Sequence, residues 1–257
     1  MAPDAQRQDW EERGFFLVPG FAGSGVLGEM LATVTRLARE AAAGRSIAPA
    51  FVQPEARIAH LDAPAEEKLS KLFRVHREHA AFHRFCTDPK LLDLLTPILG
   101  DELDCFLSQF IFKHPGAMGQ PWHQDAYYFR FDRGPQVGAW LAVSEATLDN
   151  GPLWVLPGSH REAVHRVVPD RREDANLGYV EIADHDFEGA VPVLMQPGDL
   201  LVFHSHLMHR STDNGSDRSR AAMVFHYAEA GTVDQSLEKI GFVPPNVDWM
   251  PVRRRAS

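Results

Sequence analysis

His123-Gln-Asp125 is followed far downstream by His209 and, eleven residues beyond that, by Arg220. Two imidazoles and one carboxylate make up the facial triad of a non-haem Fe(II) oxygenase, a ligand set that leaves coordination positions open. A guanidinium offers a permanent bidentate partner to a carboxylate, which a keto-acid co-substrate carries at its far end. In an extended segment residues two apart share a side, so His123 and Asp125 can reach one ion while Gln124 turns away. The third ligand has to come from a stretch holding His204, His206 and His209. Asn214-Gly215 is the preferred pair for a tight hairpin. A turn centred there sets residue 209 directly opposite residue 220. Cross-strand neighbours have Cβ atoms about 4.5–5.5 Å apart and share a face. This favours His209 as ligand, with Arg220 projecting beside it into one cavity. Ser211 faces the same cavity and could donate to the carboxylate. Arg218, opposite Ser211, competes with Arg220 for that role.

The elements that must carry these residues change in texture along the chain. The first hundred residues read mainly as helical. Ser24 is a candidate N-cap for a helix with Leu27, Met30, Leu31, Val34, Leu37, Ala38 and Ala41 spaced three and four apart, stopped by Gly44. Residues 14–20 look like a short strand, and 66–85 like a second helical stretch. Asp88-Pro89 caps a third helix with Leu91, Leu94, Leu95 and Ile98 inward. From Leu103 onward, short apolar runs at 103–112, 137–143, 152–156, 191–195, 200–204 and 220–228 alternate with turn residues. That pattern predicts a sandwich or barrel. A single domain over 1–257 is expected: a helical part to about 100, a β core over about 101–230 and a C-terminal extension over 231–257. Residues 161–188 are polar, poorly periodic and long for a connection, as loops that set specificity on a rigid scaffold often are.

Composition narrows the partners. Of 257 residues, 44% are hydrophobic and 24% charged, which is ordinary for a globular protein. A formal net charge of −9 disfavours a nucleic-acid partner, because phosphate binding needs a basic surface. Arg253-Arg254-Arg255 reads as a solubilising tail. Cys86 and Cys105 have neither zinc-site spacing nor a disulfide framework. No apolar run reaches the ~18 residues of a membrane span, and the N-terminal residues lack a signal-peptide core. The expectation is a cytoplasmic protein, monomeric or homodimeric, acting on a small molecule with no membrane or nucleic-acid partner.

Several motifs carry a resemblance. Gln109-Phe-Ile-Phe-Lys113, Pro121-Trp-His-Gln-Asp125, Gly138-Ala-Trp140, Asp149-Asn-Gly151, Leu156-Pro-Gly-Ser-His160, Pro197-Gly-Asp199 and the stretch from His209 to Arg220 are similar to the phytanoyl-CoA dioxygenase family of Fe(II)/2-oxoglutarate oxygenases. The match runs over roughly residues 65–230. It implies a double-stranded β-helix (a jelly-roll, cupin-like core) buttressed by N-terminal helices. It also implies Fe(II) on His123, Asp125 and His209, and 2-oxoglutarate on Ser211 and Arg220. Trp140, Gln109 and Lys71 are implied to line the co-substrate site. Asn150-Gly151 and the turn at 157–160 are read as turn chemistry only.

The expected reaction consumes O2 and 2-oxoglutarate, releases succinate and CO2, and hydroxylates an unactivated C–H bond. A halogenase of the same fold needs a small residue in place of the carboxylate, and Asp125 is intact. Desaturation, ring formation, or 2-oxoglutarate binding with little turnover are the alternatives. The substrate pocket is expected to draw on residues 127–131, including Tyr127, Phe129 and Arg130, on parts of 161–188 and on 47–59. Arg130, Arg133 or His60 could bind an acidic group.

Overall fold

The computed structural model describes residues 3–235 and 249–255. In chain order the elements begin with α1 (Pro3–Arg13), β1 (Phe15–Val18), α2 (Ser24–Ala42), β2 (Phe51–Pro54), β3 (Leu69–Phe73), α3 (Ala80–Cys86) and α4 (Pro89–Leu99). There follow β4 (Leu103–Lys113), β5 (Val137–Ala142), β6 (Leu153–Val155), β7 (Val167–Pro169), β8 (Val180–Ile182) and β9 (Val191–Val193). The last are β10 (Leu200–His204), β11 (His209–Ser211), β12 (Arg220–Glu229) and β13 (Met250–Arg253).

An antiparallel major sheet runs β1-β10-β5-β12-β4-β3-β2, with β13 added against β4. A minor sheet, β11-β6-β9, closes over it, and β7 and β8 pair separately. This is the jelly roll expected from the spacing of apolar runs and turns. β12 is apolar on both faces because both are covered. Ala221, Met223, Phe225 and Tyr227 meet the helices together with Leu27, Met30, Val34, Leu37, Leu91 and Leu95. Ala222 and Val224 point the other way, packing with Trp140, Leu201 and Phe203 of the major sheet and Val155 and Val193 of the minor one. The helices therefore brace one face of the major sheet, and the other face lines the barrel.

Several local expectations change. The N-cap of α2 is Gly23, with no side-chain capping bond, so Ser24 starts the helix. Along α2, Leu31 is turned outward, 40% exposed. α4 is capped as expected, Asp88 accepting from Lys90 N at 2.9 Å, but its buried residues are Leu91, Leu92, Leu95 and Leu99. The stretch 66–85 is not one helix: a short 3-10 turn (Ala65–Lys68) leads into β3, and only α3 is α-helical. The basic tail is not a loose solubiliser. Pro251 and Arg253 of β13 pair with β4, and Arg253, Arg254 and Arg255 pair with Asp93, Asp104 and Asp101. Of the expected C-terminal extension, 236–248 and 256–257 lie outside the described residues. No helix among the described residues is long and apolar enough to cross a membrane.

Candidate metal centre and co-substrate pocket

His123 and His209 face each other across an isolated antiparallel bridge. Each backbone N–H donates to the other's carbonyl, at 2.9 and 3.0 Å. A hydrogen-bonded antiparallel pair puts both side chains on one face, and the two rings lie 4.1 Å apart. Asp125 is not on a continuing strand but opens a 3-10 turn (Asp125–Tyr127). That turn still brings its Oδ1 to 3.6 Å from His123 Nε2 and 3.7 Å from His209 Nε2. Ligand atoms of the three residues lie within 4.8 Å of one another.

The second ring nitrogens decide whether this set suits a metal. His123 Nδ1 lies 2.8 Å from Pro121 O and His209 Nδ1 2.9 Å from Leu207 O. Each Nδ1–H therefore donates to a carbonyl, which leaves the Nε2 lone pair directed at the shared point, as in metal-ligating histidines. The Gln120 amide donates to that His123 Nε2 lone pair at 3.0 Å, marking it as an acceptor, and would turn aside for the nitrogen to ligate. Burial, then the neighbouring His123, lowers His209 to about 4, so it is neutral near pH 7 and able to ligate. Burial alone would raise the Asp125 carboxyl. The adjacent imidazoles of His209, His123 and His226 outweigh this and hold it well below the usual range. The donor set fits a divalent ion.

Beside the triad lies a cavity of about 800 Å³, lined by His123, Asp125, His209, Ser211, Arg220, Trp140, Gln109 and Lys71 among others. His209 and Arg220 share it, but not through a hairpin. β11 pairs with β6, whereas β12 pairs with β4 and β5, so the two residues converge from opposite sheets. Arg220 is 1% exposed. Its Nη2 donates to Gly151 O at 2.9 Å, while Nε and Nη1 are buried without a partner. Its guanidinium lies 5.5 Å from the Trp140 ring centroid. Burial pulls Arg220 down to about 10, so it stays cationic at neutral pH. Lys113 stands opposite it in register and donates to Ser211 Oγ at 2.7 Å. Burial, and next the Arg220 charge, pulls this amine well below its usual value. Unpaired guanidinium N–H groups, a buried amine and a hydroxyl at the base of an apolar cavity fit a carboxylate. Arg218, the competing candidate, is exposed and pairs with Glu145 at 3.4 Å.

Lys71 is on β3 rather than on a helix face, 9% exposed, and donates to Gln120 Oε1 at 3.1 Å. Gln109 on β4 faces inward and lies 3.4 Å from His226 Nε2. Of the expected substrate residues, Phe129 and the neighbouring Tyr128 line the cavity, while Tyr127 and Arg130 do not. Arg133 and His60 also lie outside it, Arg133 being paired with Asp132 at 3.2 Å. The two expected loop walls are present: Phe51 to Pro54 and Ala56 on one side, Ala175 to Tyr179 on the other. Asn176 ties them together, donating to Glu55 Oε2 at 2.7 Å and accepting from Ala56 N at 2.9 Å. His204 and His206 sit away from the triad, ring to ring with each other, and His204 also packs on Trp10 and His160.

Sequence reasoning passed over His226, which is 3% exposed with Nδ1 3.8 Å from Asp125 Oδ2. The signal was available: Arg220, Ala222, Val224 and His226 occupy alternate positions of one strand, so one inward residue implies the others. Gly138 has a spatial reason as well. A Cβ there would lie 2.3 Å from the Phe203 ring, and that ring packs edge-on against His209 at 5.2 Å. The turn glycine Gly151 also holds the arginine by its carbonyl. It has φ +80°, and a Cβ would fall 2.4 Å from Lys113 Cδ and 2.6 Å from Thr212 O. Gly151→Ala should therefore destabilise the fold by about 1–3 kcal/mol and weaken 2-oxoglutarate binding. Urea unfolding with and without the keto acid checks both effects.

The family profile described as phytanoyl-CoA dioxygenase (PhyH) matches residues 10–222. The chain belongs to the phytanoyl-CoA dioxygenase family. Phytanoyl-CoA dioxygenase domain-containing protein 1 of Rattus norvegicus is 33% identical over 178 residues, 66% of this chain and 61% of that protein. The peroxisomal phytanoyl-CoA dioxygenase of Bos taurus is 27% identical over 249 residues, 91% of this chain and 73% of that one. The chain thus spans about 60% of the length of the curated relatives it matches first. Among solved structures, the non-haem alpha-ketoglutarate-dependent epimerase SnoN of nogalamycin biosynthesis superposes with a TM-score of 0.72 at 19% identity, covering 98% of this chain and 99% of that one. That likeness is one of fold.

Proposed function

We propose that this chain is an Fe(II)- and 2-oxoglutarate-dependent dioxygenase that hydroxylates an unactivated C–H bond of a small-molecule metabolite. The observation that carries this reading is a buried His-Asp-His set sharing one cavity with a guanidinium whose Nε and Nη1 lack partners. Ferrous iron with 2-oxoglutarate would activate O2, giving succinate, CO2 and one oxygen atom for the substrate. The protein supplies holding and shielding. His123, Asp125 and His209 hold the ion by groups already locked by backbone carbonyls and neighbouring rings. Arg220 and Ser211 grip the far carboxylate of the keto acid, with the Trp140 ring 5.5 Å from the guanidinium. Gln109 and His226 steady the far side of Asp125. Lys71, held by Gln120 and lying 4.8 Å from the Tyr179 ring centroid, presents its amine to the cavity.

The substrate end of the cavity is apolar and aromatic. Phe51 stacks on Phe73 at 4.7 Å, and Phe129, Leu107, Met118 and Tyr128 complete the wall. Phe129 and Tyr128 are the better candidates for substrate contact, and a substrate with an apolar body suits them. Incubation of the chain with Fe(II), 2-oxoglutarate and a metabolite extract tests the proposal by O2 uptake, succinate release and mass spectrometry. A gain of one oxygen in a substrate is expected. Loss of two hydrogens would shift the reading to desaturation or ring closure. Absence of succinate above a metal-free control would end the oxygenase reading.

A further inference from the structure

Outside the cavity, Glu162, His165 and His185 bring one ligand atom each within 4.8 Å of one another. His165 Nε2 lies 2.9 Å and His185 Nε2 3.2 Å from the same oxygen, Glu162 Oε2. The two rings stand at 89° with centroids 5.0 Å apart. None of these residues lines the cavity or belongs to the triad. We propose that Glu162, His165 and His185 form a second metal site, for a borderline divalent ion such as Zn2+, that clamps the wall of the substrate cavity.

The donors set the class of ion. Two imidazoles with one carboxylate suit Zn2+, Ni2+ or Cu2+ better than Mg2+ or Ca2+, which prefer all-oxygen sites. Ligands about 2.0–2.1 Å from a tetrahedral ion lie roughly 3.3 Å apart, so the hydrogen-bonded pairs at 2.9 and 3.2 Å need to open only slightly, with the proton leaving each Nε2, to admit an ion. Side-chain exposures of 42%, 26% and 18% for Glu162, His165 and His185 leave the group reachable from solvent. Burial would raise the Glu162 carboxyl, but hydrogen bonds from His165 and His185 hold it below the usual range, so it is ionised.

The placement of the three residues gives the ion its effect. Glu162 and His165 stand at the start, and His185 at the end, of the segment carrying β7, β8 and the cavity residues Ala175 to Tyr179. An ion joining them closes a loop of about twenty residues and removes freedom from it. Both ends abut the triad. Gln124, between His123 and Asp125, accepts from His165 N at 2.8 Å and donates to Ala163 O at 3.2 Å. Phe187, two residues past His185, stacks on Trp122 at 4.4 Å and 4°. Occupancy of the outer site therefore steadies the cavity wall and the backbone on either side of His123.

The test is zinc stoichiometry. Chelator-treated protein is dialysed against Zn2+, and bound zinc per chain is measured by mass spectrometry for wild type, His185→Ala and Glu162→Gln. Wild type should bind two zinc ions, and each variant one, the ion retained showing that the variant is folded. Tryptic cleavage after Arg166, Arg171 and Arg172 should slow with zinc in wild type and in a His123→Ala, His209→Ala double variant, but not in Glu162→Gln. The double variant separates this site from the catalytic one, so either can fail alone. No zinc bound by the His123→Ala, His209→Ala double variant when it is measured alongside, two in both single variants, or zinc protection persisting in Glu162→Gln would each overturn the proposal and leave a plain ion-pair network.

Discussion

His209→Ala should leave a folded protein that no longer retains iron and whose succinate release falls by more than about 100-fold. Residues that merely orient metal ligands cost 10–100-fold when removed, and loss of a ligand exceeds that. The fold should survive because the backbone bridge between His209 and His123 does not need the imidazole. Its other losses are the Nδ1 bond to Leu207 O, worth about 1 kcal/mol, and the edge-on contact with the Phe203 ring. Arg218→Ala is the matched control. Its ion pairs with Glu145 and Asp149 are exposed, and such pairs contribute about 0–1 kcal/mol. Iron content and 2-oxoglutarate turnover, measured for both variants, check the contrast. Equal turnover in wild type and His209→Ala would remove the triad from the reaction.

The candidate residues were legible because chemistry constrains their types, and the strands because their apolar runs are local. Residues 200–204 and 220–228 became β10 and β12 with shifts of no more than one residue. The route by which His209 meets Arg220 was not legible. Asn214-Gly215 promised a tight hairpin, yet the Asn214 amide is spent elsewhere. It donates to Lys113 O at 2.8 Å and Arg218 O at 2.7 Å, and its oxygen accepts from Ser216 N at 2.9 Å. These bonds build a wider loop that sends β12 into the other sheet. β11 is three residues long, too short for a period to show, and its partner is far away in sequence. Lys71 was misplaced for a related reason. Leu69-Ser-Lys-Leu-Phe73 sits between helical stretches, and only its pairing with β4 makes it a strand. Long-range pairing settles such segments, and local periodicity does not report it.

Removing Arg220 should move stability and co-substrate affinity in opposite directions. The guanidinium is fully buried, with one hydrogen bond and with its Nε and Nη1 nitrogens unpaired. Its fall from 12.5 to about 10 corresponds to a burial penalty on the order of 3 kcal/mol at neutral pH. Both folded and unfolded forms are protonated there, so that penalty is undiminished at pH 7. Lys113, opposite it, is pulled well below its usual value by burial and next by the Arg220 charge. Arg220→Met replaces the cation with an apolar chain of similar reach, and such swaps are often neutral or stabilising. The free variant should thus be as stable as wild type or more so. The site it vacates should bind 2-oxoglutarate poorly, because a buried carboxylate left without its charged partner costs about 2–5 kcal/mol, roughly 30-fold or more in affinity. Wild type should gain thermal stability when 2-oxoglutarate is added, and the variant should not. Arg220→Lys should recover only part of the loss, since a point charge does not replace a planar fork. Thermal unfolding of the three proteins with and without 2-oxoglutarate, alongside KM for the keto acid, measures both directions. A KM for Arg220→Met within twofold of wild type would take the guanidinium out of the co-substrate site.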